Sequence, residues 1–230
     1  MDRRILPPRY LRGFAAEGPP AGPSIWVYRP QIGEWRRVSI EAEPCAERHF
    51  NVPRTAGTPD GGLERELLDG EAPGLAHLVR AAQERVSPSP EERGVAARFL
   101  AVLGVSRAPG AEGLAAAEAE AGVASLERAL SEMGWVFWRA EAPAYFITSS
   151  APLRVAYPKA EEGWLEGMDV RSPGTEITLP LTPRLALHAS WKLGGERWRP
   201  ASEDVLMEVN GRTAQRAREF LAAPWPAVPG

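Results

Sequence analysis

The pattern of apolar and polar positions predicts a β-hairpin near the start of the chain. Residues 24–29 are aromatic and β-branched, and residues 35–40 alternate apolar with polar, mostly basic, side chains. Gly33 lies in the short stretch between the two runs. Two strand-like runs joined by a glycine-containing turn are typical of a hairpin.

Helical spacing of apolar residues follows in the middle of the chain. Apolar residues fall at helical spacings on both sides of Pro73, which interrupts them, so we expect two short helices or one kinked helix. They are Leu63, Leu67, Leu75, Leu78, Val79 and Ala82. The run Ser89-Pro90-Glu91-Glu92 predicts a helix that begins at Pro90, because the serine and the second glutamate can each cap the other's backbone amide. An alanine-rich stretch at about 112–133 predicts a third helix.

The last part of the chain is mainly strand-like. Apolar runs predict strands at 135–138, 145–148, 153–156, 176–181, 185–189 and 205–208, and Asn210 is expected to cap a last helix at 212–222. Elements of one type follow one another instead of alternating. This order favours an α+β fold with a largely antiparallel sheet, an N-terminal hairpin, a helical middle at about 63–133 and a C-terminal helix.

Composition excludes several classes of protein. The 230 residues are 44% hydrophobic, enough for a sizeable core, and carry a net charge of -3. That charge argues against holding nucleic acid mainly by bulk attraction, although it leaves room for a local basic patch. Cys45 is the only cysteine, which excludes an intrachain disulfide and a structural zinc site of several thiolates. Without a long apolar run or the apolar core of a secretory signal, the chain is expected to be soluble, cytoplasmic and not membrane-bound.

A motif near the start of the chain, residues 3–14, reads Arg-Arg-Ile-Leu-Pro-Pro-Arg-Tyr-Leu-Arg-Gly-Phe. It is similar to His-His-Tyr-Val-Pro-x-x-Tyr-Leu-Arg-x-Phe of an uncharacterised bacterial group, the domain-of-unknown-function family 4238, and further segments resemble that family in chain order. Residues 145–152, Tyr-Phe-Ile-Thr-Ser-Ser-Ala-Pro, resemble its Ile-Thr-Ser-Asp-x-Pro, and residues 179–183 resemble its Pro-Leu-Ser-Pro. Shorter similarities include residues 25–28 and 46–50, the glutamates Glu64 and Glu71, Arg107, and the segment from Asn210. The resemblance spans nearly the whole chain and implies one integrated domain, 1–230.

The departures from the family pattern bear directly on function. Arg3 and Arg4 stand where the family has paired histidines, and Ser150 stands where it has an aspartate. Histidines with acidic residues can hold a divalent metal or move protons, whereas a guanidinium stays protonated and only donates. The resemblance therefore implies a diverged member that binds a partner without cofactor or catalysis.

The candidate binding residues are seven arginines and serines: Arg3, Arg4, Arg9, Arg12, Arg48, Ser149 and Ser150. Guanidinium forks suit phosphates and carboxylates, so the partner is expected to be an anionic ligand or another protein, with nucleic acid unsupported by the net charge. The structural alternatives are a solvated N-terminal segment in an arginine-rich protein and, for the serines, the capping of a turn.

Two other functions remain open. A metal-dependent hydrolase or nuclease would hold Mg²⁺ or Mn²⁺ on Glu64 and Glu71, with Arg107 stabilising a phosphate; the alternative is a structural Arg–Glu pair between helices. The three histidines, His188 among them, lack metal-binding spacing and are expected to be ordinary polar residues. The eight tryptophans allow a small-molecule pocket with stacking faces, or they belong to the core and sheet faces.

Overall fold

The computed structural model describes residues 2–4, 6–16, 22–40, 51–53, 73–106, 116–156, 170–215, 217 and 219–226. The helices are α1 (Pro8–Arg12), α2 (Pro73–Glu84), α3 (Pro90–Ser106), α4 (Ala116–Glu132) and α5 (Glu203–Gln215). The strands are β1 (Asp2–Arg4), β2 (Ser24–Arg29), β3 (Glu34–Ser39), β4 (Asn51–Pro53), β5 (Gly134–Arg139), β6 (Thr148–Ser149), β7 (Arg154–Ala156), β8 (Glu176–Thr182), β9 (Leu185–Ser190), β10 (Glu196–Pro200) and β11 (Leu221–Ala223).

The strands of the described residues form three sheets. Strand β1 pairs with β4, a five-stranded sheet has the order β10-β5-β9-β8-β7, and a four-stranded sheet has the order β3-β2-β11-β6. Every pairing is antiparallel except that of β10 with β5. The α+β prediction is confirmed: the sheets are largely antiparallel, and they accompany a helical middle and the C-terminal helix α5.

Two locally encoded features agree with the sequence. Strands β2 and β3 form the predicted hairpin, and Gly33 in its turn has the positive φ of +75° that glycine adopts without strain. At the start of α3, Ser89 Oγ accepts from the Glu92 amide at 3.2 Å, while Glu92 Oε2 accepts from the Ser89 amide at 2.8 Å. Both halves of the predicted capping box are therefore made.

Most buried apolar side chains form one cluster that includes residues from α1 to β11. Helix α3 lies between α2 and α4, and its buried face includes Leu100, Val102 and Leu103. A Cβ on Gly74 would lie 2.5 Å from the Phe99 Cβ, so glycine allows α2 to approach α3 this closely. The expectation of one domain over the whole chain includes residues outside the described ones and stays a prediction.

The C-terminal part differs from the sequence prediction. Residues 205–208 belong to α5 instead of a strand, and residues 221–223 form strand β11 instead of the end of a helix. Asn210 lies inside α5, where its Oδ1 accepts from the Ile147 amide at 3.0 Å and its Nδ2 donates to the Tyr145 carbonyl at 2.9 Å. A tertiary contact therefore replaces the predicted cap, and it holds residues 145–147 outside regular strand structure. Strand β10 was not predicted.

The first predicted helices are described only in part. Helix α2 begins at Pro73, whereas the segment that contains Leu63 lies outside the described residues.

Tyr10 joins α1 to both larger sheets. Its ring is fully buried beside Phe14, with ring centroids 5.4 Å apart. The Tyr10 hydroxyl donates to the Pro180 carbonyl of β8 at 2.7 Å, so the Thr148 hydroxyl of β6, 2.8 Å away, donates to the Tyr10 oxygen. Burial raises the pKa of Tyr10, which keeps the phenol neutral and able to donate.

We predict that Tyr10→Phe lowers the free energy of unfolding by about 1–3 kcal/mol, because it leaves a buried carbonyl and a buried hydroxyl without their partner. Urea unfolding measures the change. The matched control is Tyr28→Phe in the hairpin, whose ring is only partly buried. Equal stability of the two variants would contradict the role given to the Tyr10 hydroxyl.

Candidate functional site

The N-terminal arginines lie on two different elements. Arg3 and Arg4 belong to β1, where they are paired in register with Val52 and Asn51 of β4. Arg9 and Arg12 lie on α1, and both are exposed. Four further predicted site residues, Arg48, Glu64, Glu71 and Arg107, lie outside the described residues.

Ser149 and Ser150 are buried, with exposures of 0% and 1%. The Ser149 hydroxyl accepts from the Ala151 amide at 3.3 Å, and the Ser150 hydroxyl accepts from the Glu219 amide at 3.3 Å. The Ser150 amide in turn donates to the Phe220 carbonyl at 3.0 Å. These contacts fit the structural alternative, in which the serines hold a turn, and the predicted binding role of the serines stays a prediction.

A cavity of about 850 Å³ lies beside α1, and it is the site to which the predicted arginine Arg9 contributes. Its walls come from α1, α2, the turn between β8 and β9, the end of β5 and residues 224–225. The described lining includes four arginines, Arg9, Arg80, Arg139 and Arg184, and neither aspartate nor glutamate. We call this cavity the arginine groove.

Helix α2 supplies one wall of the arginine groove through its spacing. Ala76, Val79, Arg80 and Gln83 line the groove and fall on one face of the helix. The opposite face buries its apolar residues, including Leu78, in the core. The same amphipathic pattern that fixes the helix on the core therefore turns Arg80 toward the groove.

Backbone contacts hold the turn that carries Arg184. The Pro183 carbonyl accepts from the Phe146 amide at 2.9 Å, and the Arg184 carbonyl accepts from the Ala140 amide at 2.9 Å. The Arg184 guanidinium also donates to the Ala144 carbonyl. Because the backbone and the side chain are both held, this cation is presented to the groove with little freedom left to lose on binding.

A second cavity of about 450 Å³ adjoins the arginine groove. Arg139 and Arg184 line both cavities, and the second one adds Arg85 and Glu141. Together the described linings hold five arginines and one acid. Such a concentration of guanidinium groups attracts phosphates and carboxylates, even in a chain whose net charge is -3.

The arginines of the groove are not equally available to a ligand. Arg80 forms an ion pair with Glu92, the same carboxylate that caps α3, and His77 Nδ1 lies 3.5 Å from that carboxylate. The charge of Arg80 is therefore partly compensated inside the protein. Arg139 and Arg184, which line both cavities, are therefore expected to contribute more to the attraction for an anion than Arg80 does.

A second polar cluster lies on the five-stranded sheet beneath α5. Glu176 Oε2 accepts from Arg212 at 2.8 Å and lies 3.8 Å from His188 Nε2, and Arg212 also pairs with Glu208. Thr178 faces His188 across the β8–β9 pairing, and its hydroxyl and the His188 Nε2 are buried without a hydrogen-bond partner among the described residues. No sequence pattern indicates this cluster, because residues of α5 meet those of β8 and β9 only in the folded chain.

Burial lowers the pKa of His188 below its ordinary value of 6.5, and the charge of Glu176 opposes that shift only in part. Arg212 acts in the same direction as burial. The imidazole is therefore neutral near neutral pH, and the ion pairs of the cluster are those of Arg212 with Glu176 and with Glu208.

Among the described residues, no three His, Cys, Asp or Glu side chains lie together as a metal site would require. No helix in the same part of the chain combines the length and apolarity needed to cross a membrane. Of the residues that line the arginine groove, only Arg9 was predicted from the sequence. Helical spacing could have indicated Arg80, whereas Arg139, Arg184 and Trp225 reach the groove through tertiary structure alone.

Comparisons with protein-family models, with curated proteins and with solved structures find no match to this chain. The resemblance to the domain-of-unknown-function family 4238 stays a prediction.

We predict that His188 makes stability fall as the pH is lowered from about 7.5 to about 5.5. The unfolded chain takes up a proton near the ordinary pKa of 6.5, whereas the folded protein does so only at lower pH. Below 6.5 the unfolded state thus binds more protons and gains stability relative to the folded state. Thermal unfolding should show that His188→Gln loses less stability over this pH range than the wild type does. An equal loss of stability would contradict the conclusion that His188 is buried in its neutral form.

Proposed function

We propose that the protein binds an anionic ligand in the arginine groove and does not transform it. The observation that carries this proposal is the meeting of Arg9, Arg80, Arg139 and Arg184, from four separate segments, in a cavity whose described lining lacks a carboxylate. Glu92, which pairs with Arg80, is not part of the described lining. A lining that contributes guanidinium groups and no acid attracts anionic ligands.

The chemistry of the groove favours phosphate or carboxylate groups. Arginine presents a planar set of donors that matches two oxygens at once, and it remains charged at all physiological pH values. The apolar walls that α2 and the β8–β9 turn provide lower the local dielectric, which strengthens each charge-assisted hydrogen bond. An anion with two charges is expected to bind most tightly, because Arg139 and Arg184 both line both cavities.

The described lining supports binding more than catalysis. It includes no histidine, cysteine or carboxylate that could act as a general base or nucleophile. The Tyr10 hydroxyl is occupied by Pro180 and Thr148, and the Thr182 hydroxyl accepts from the Arg184 amide at 3.2 Å. This picture agrees with the idea of a diverged family member that has kept a binding surface, and we retain that membership as part of the proposal.

The competing proposals have less support. A hydrolase or nuclease with Mg²⁺ or Mn²⁺ depends on Glu64, Glu71 and Arg107, which lie outside the described residues, and no contact in the described part of the chain favours it. A protein partner that brought an acidic segment into the groove would use the same arginines.

We predict that pyrophosphate binds to the protein and that Arg139→Gln weakens this binding about tenfold or more, because the substitution removes one of the two cations shared by both cavities. Isothermal titration calorimetry at low and at high salt measures the dissociation constant. Raising the salt concentration should weaken binding further, as expected for a charge-driven site.

The matched control is Arg128→Gln, which removes an exposed arginine from α4, an element that does not line the groove. The control should bind like the wild type. The proposal is wrong if the wild type does not bind pyrophosphate, or if the Arg139 and Arg128 variants cannot be distinguished.

A further inference from the structure

An exposed tryptophan lies at one side of the arginine groove. Trp225 lines the groove, and 48% of its surface is exposed. Exposing this indole to water costs free energy unless something covers it. Its position in the lining of a basic cavity indicates that the cover is a ligand.

Neighbouring contacts hold Trp225 in place. The Tyr145 ring lies 5.5 Å from the indole at a tilt of 56°, and the Tyr145 hydroxyl donates to the Trp225 carbonyl at 3.4 Å. The Tyr145 carbonyl accepts from Asn210 of α5 at 2.9 Å. The indole is thus supported by the fold, and it offers a prepared surface for a planar group.

A cation stands beside this aromatic surface. The Arg184 guanidinium carbon lies 6.0 Å from the centroid of the Trp225 ring, and Arg184 also faces the second cavity, where Arg139 joins it. A ligand seated here meets the indole and the Arg184 guanidinium, in a cavity that Arg139 also lines. Stacking on an aromatic ring combined with arginine contacts to phosphate is the way in which proteins hold nucleotides and single-stranded nucleic acids.

We propose that the ligand of the arginine groove is a nucleotide, with its base stacked on Trp225 and its phosphate bound by Arg184 and Arg139. This inference rests on the proposed anion binding and adds the chemical class of the ligand. The volume of about 850 Å³ falls in the range of sites for ligands of this size. A base and a phosphate are supplied either by a free mononucleotide or by one nucleotide of a single strand. Arg139 and Arg184 also line the adjoining cavity, which offers space for the next nucleotide of a strand.

The test compares adenosine 5′-monophosphate, ribose 5-phosphate and a hexamer of riboadenylate by calorimetry. The wild type should bind the mononucleotide about tenfold or more tightly than ribose 5-phosphate, because only the former has a base to stack. Tighter binding of the hexamer than of the mononucleotide assigns the ligand to a single strand, and equal binding assigns it to the free nucleotide. Both results support a nucleotide site.

Two variants separate stacking from a structural role of the tryptophan. Trp225→Leu should reduce the affinity for the mononucleotide to that for ribose 5-phosphate and leave ribose 5-phosphate binding unchanged. Trp225→Phe should restore part of the difference. The control is Trp35→Leu, which removes a partly exposed tryptophan from the hairpin strand β3, a strand that contributes no residue to the described groove lining.

The outcomes distinguish this inference from the proposed function. If the wild type binds both phosphates equally well and Arg139→Gln weakens both, the groove binds anions and the nucleotide inference is wrong. If Trp225→Leu keeps the preference for the mononucleotide, the inference is also wrong. If neither phosphate binds, the proposed function itself fails.

Discussion

The structure depends on a buried phenol that holds a short helix between two sheets. Tyr10 hydrogen-bonds to Pro180 of the five-stranded sheet and to Thr148 of the four-stranded sheet, and the interior leaves neither partner a substitute from water. A helix of five residues has little stability of its own, so its position comes from this tertiary contact. The neighbouring residue, Arg9, thereby becomes part of a wall of the arginine groove.

Repulsion among its like charges makes the arginine groove costly to the folded protein, and this cost points to a bound anion. Arginines brought together destabilise the folded protein through mutual repulsion, and the ion pair of Arg80 with Glu92 relieves part of it. An anion bound between Arg139 and Arg184 would remove the remaining repulsion and add hydrogen bonds. The net charge of -3 conceals this arrangement, because composition counts charges without regard to where the fold places them.

Local signals in the sequence predicted local structure well. The hairpin and the reciprocal cap of Ser89 and Glu92 need only neighbouring residues, and both are present. Asn210 was misread because its amide bonds to a distant loop, and the apolar run 205–208 is too short to distinguish strand from helix. Strand β10 is a partly exposed edge strand with a polar sequence, so it shows no apolar pattern. Of the residues that line the arginine groove, the sequence predicted Arg9 as a site residue, because the others come together only in the folded chain.

The central claim is that anions bind between the arginines of the groove, and diffraction from crystals soaked in tungstate tests it most directly. Tungstate resembles phosphate in shape and charge, and its anomalous scattering locates it without ambiguity. We expect an anomalous peak in contact with Arg139 and Arg184. A fully occupied peak elsewhere on the protein with none in the groove would contradict the account.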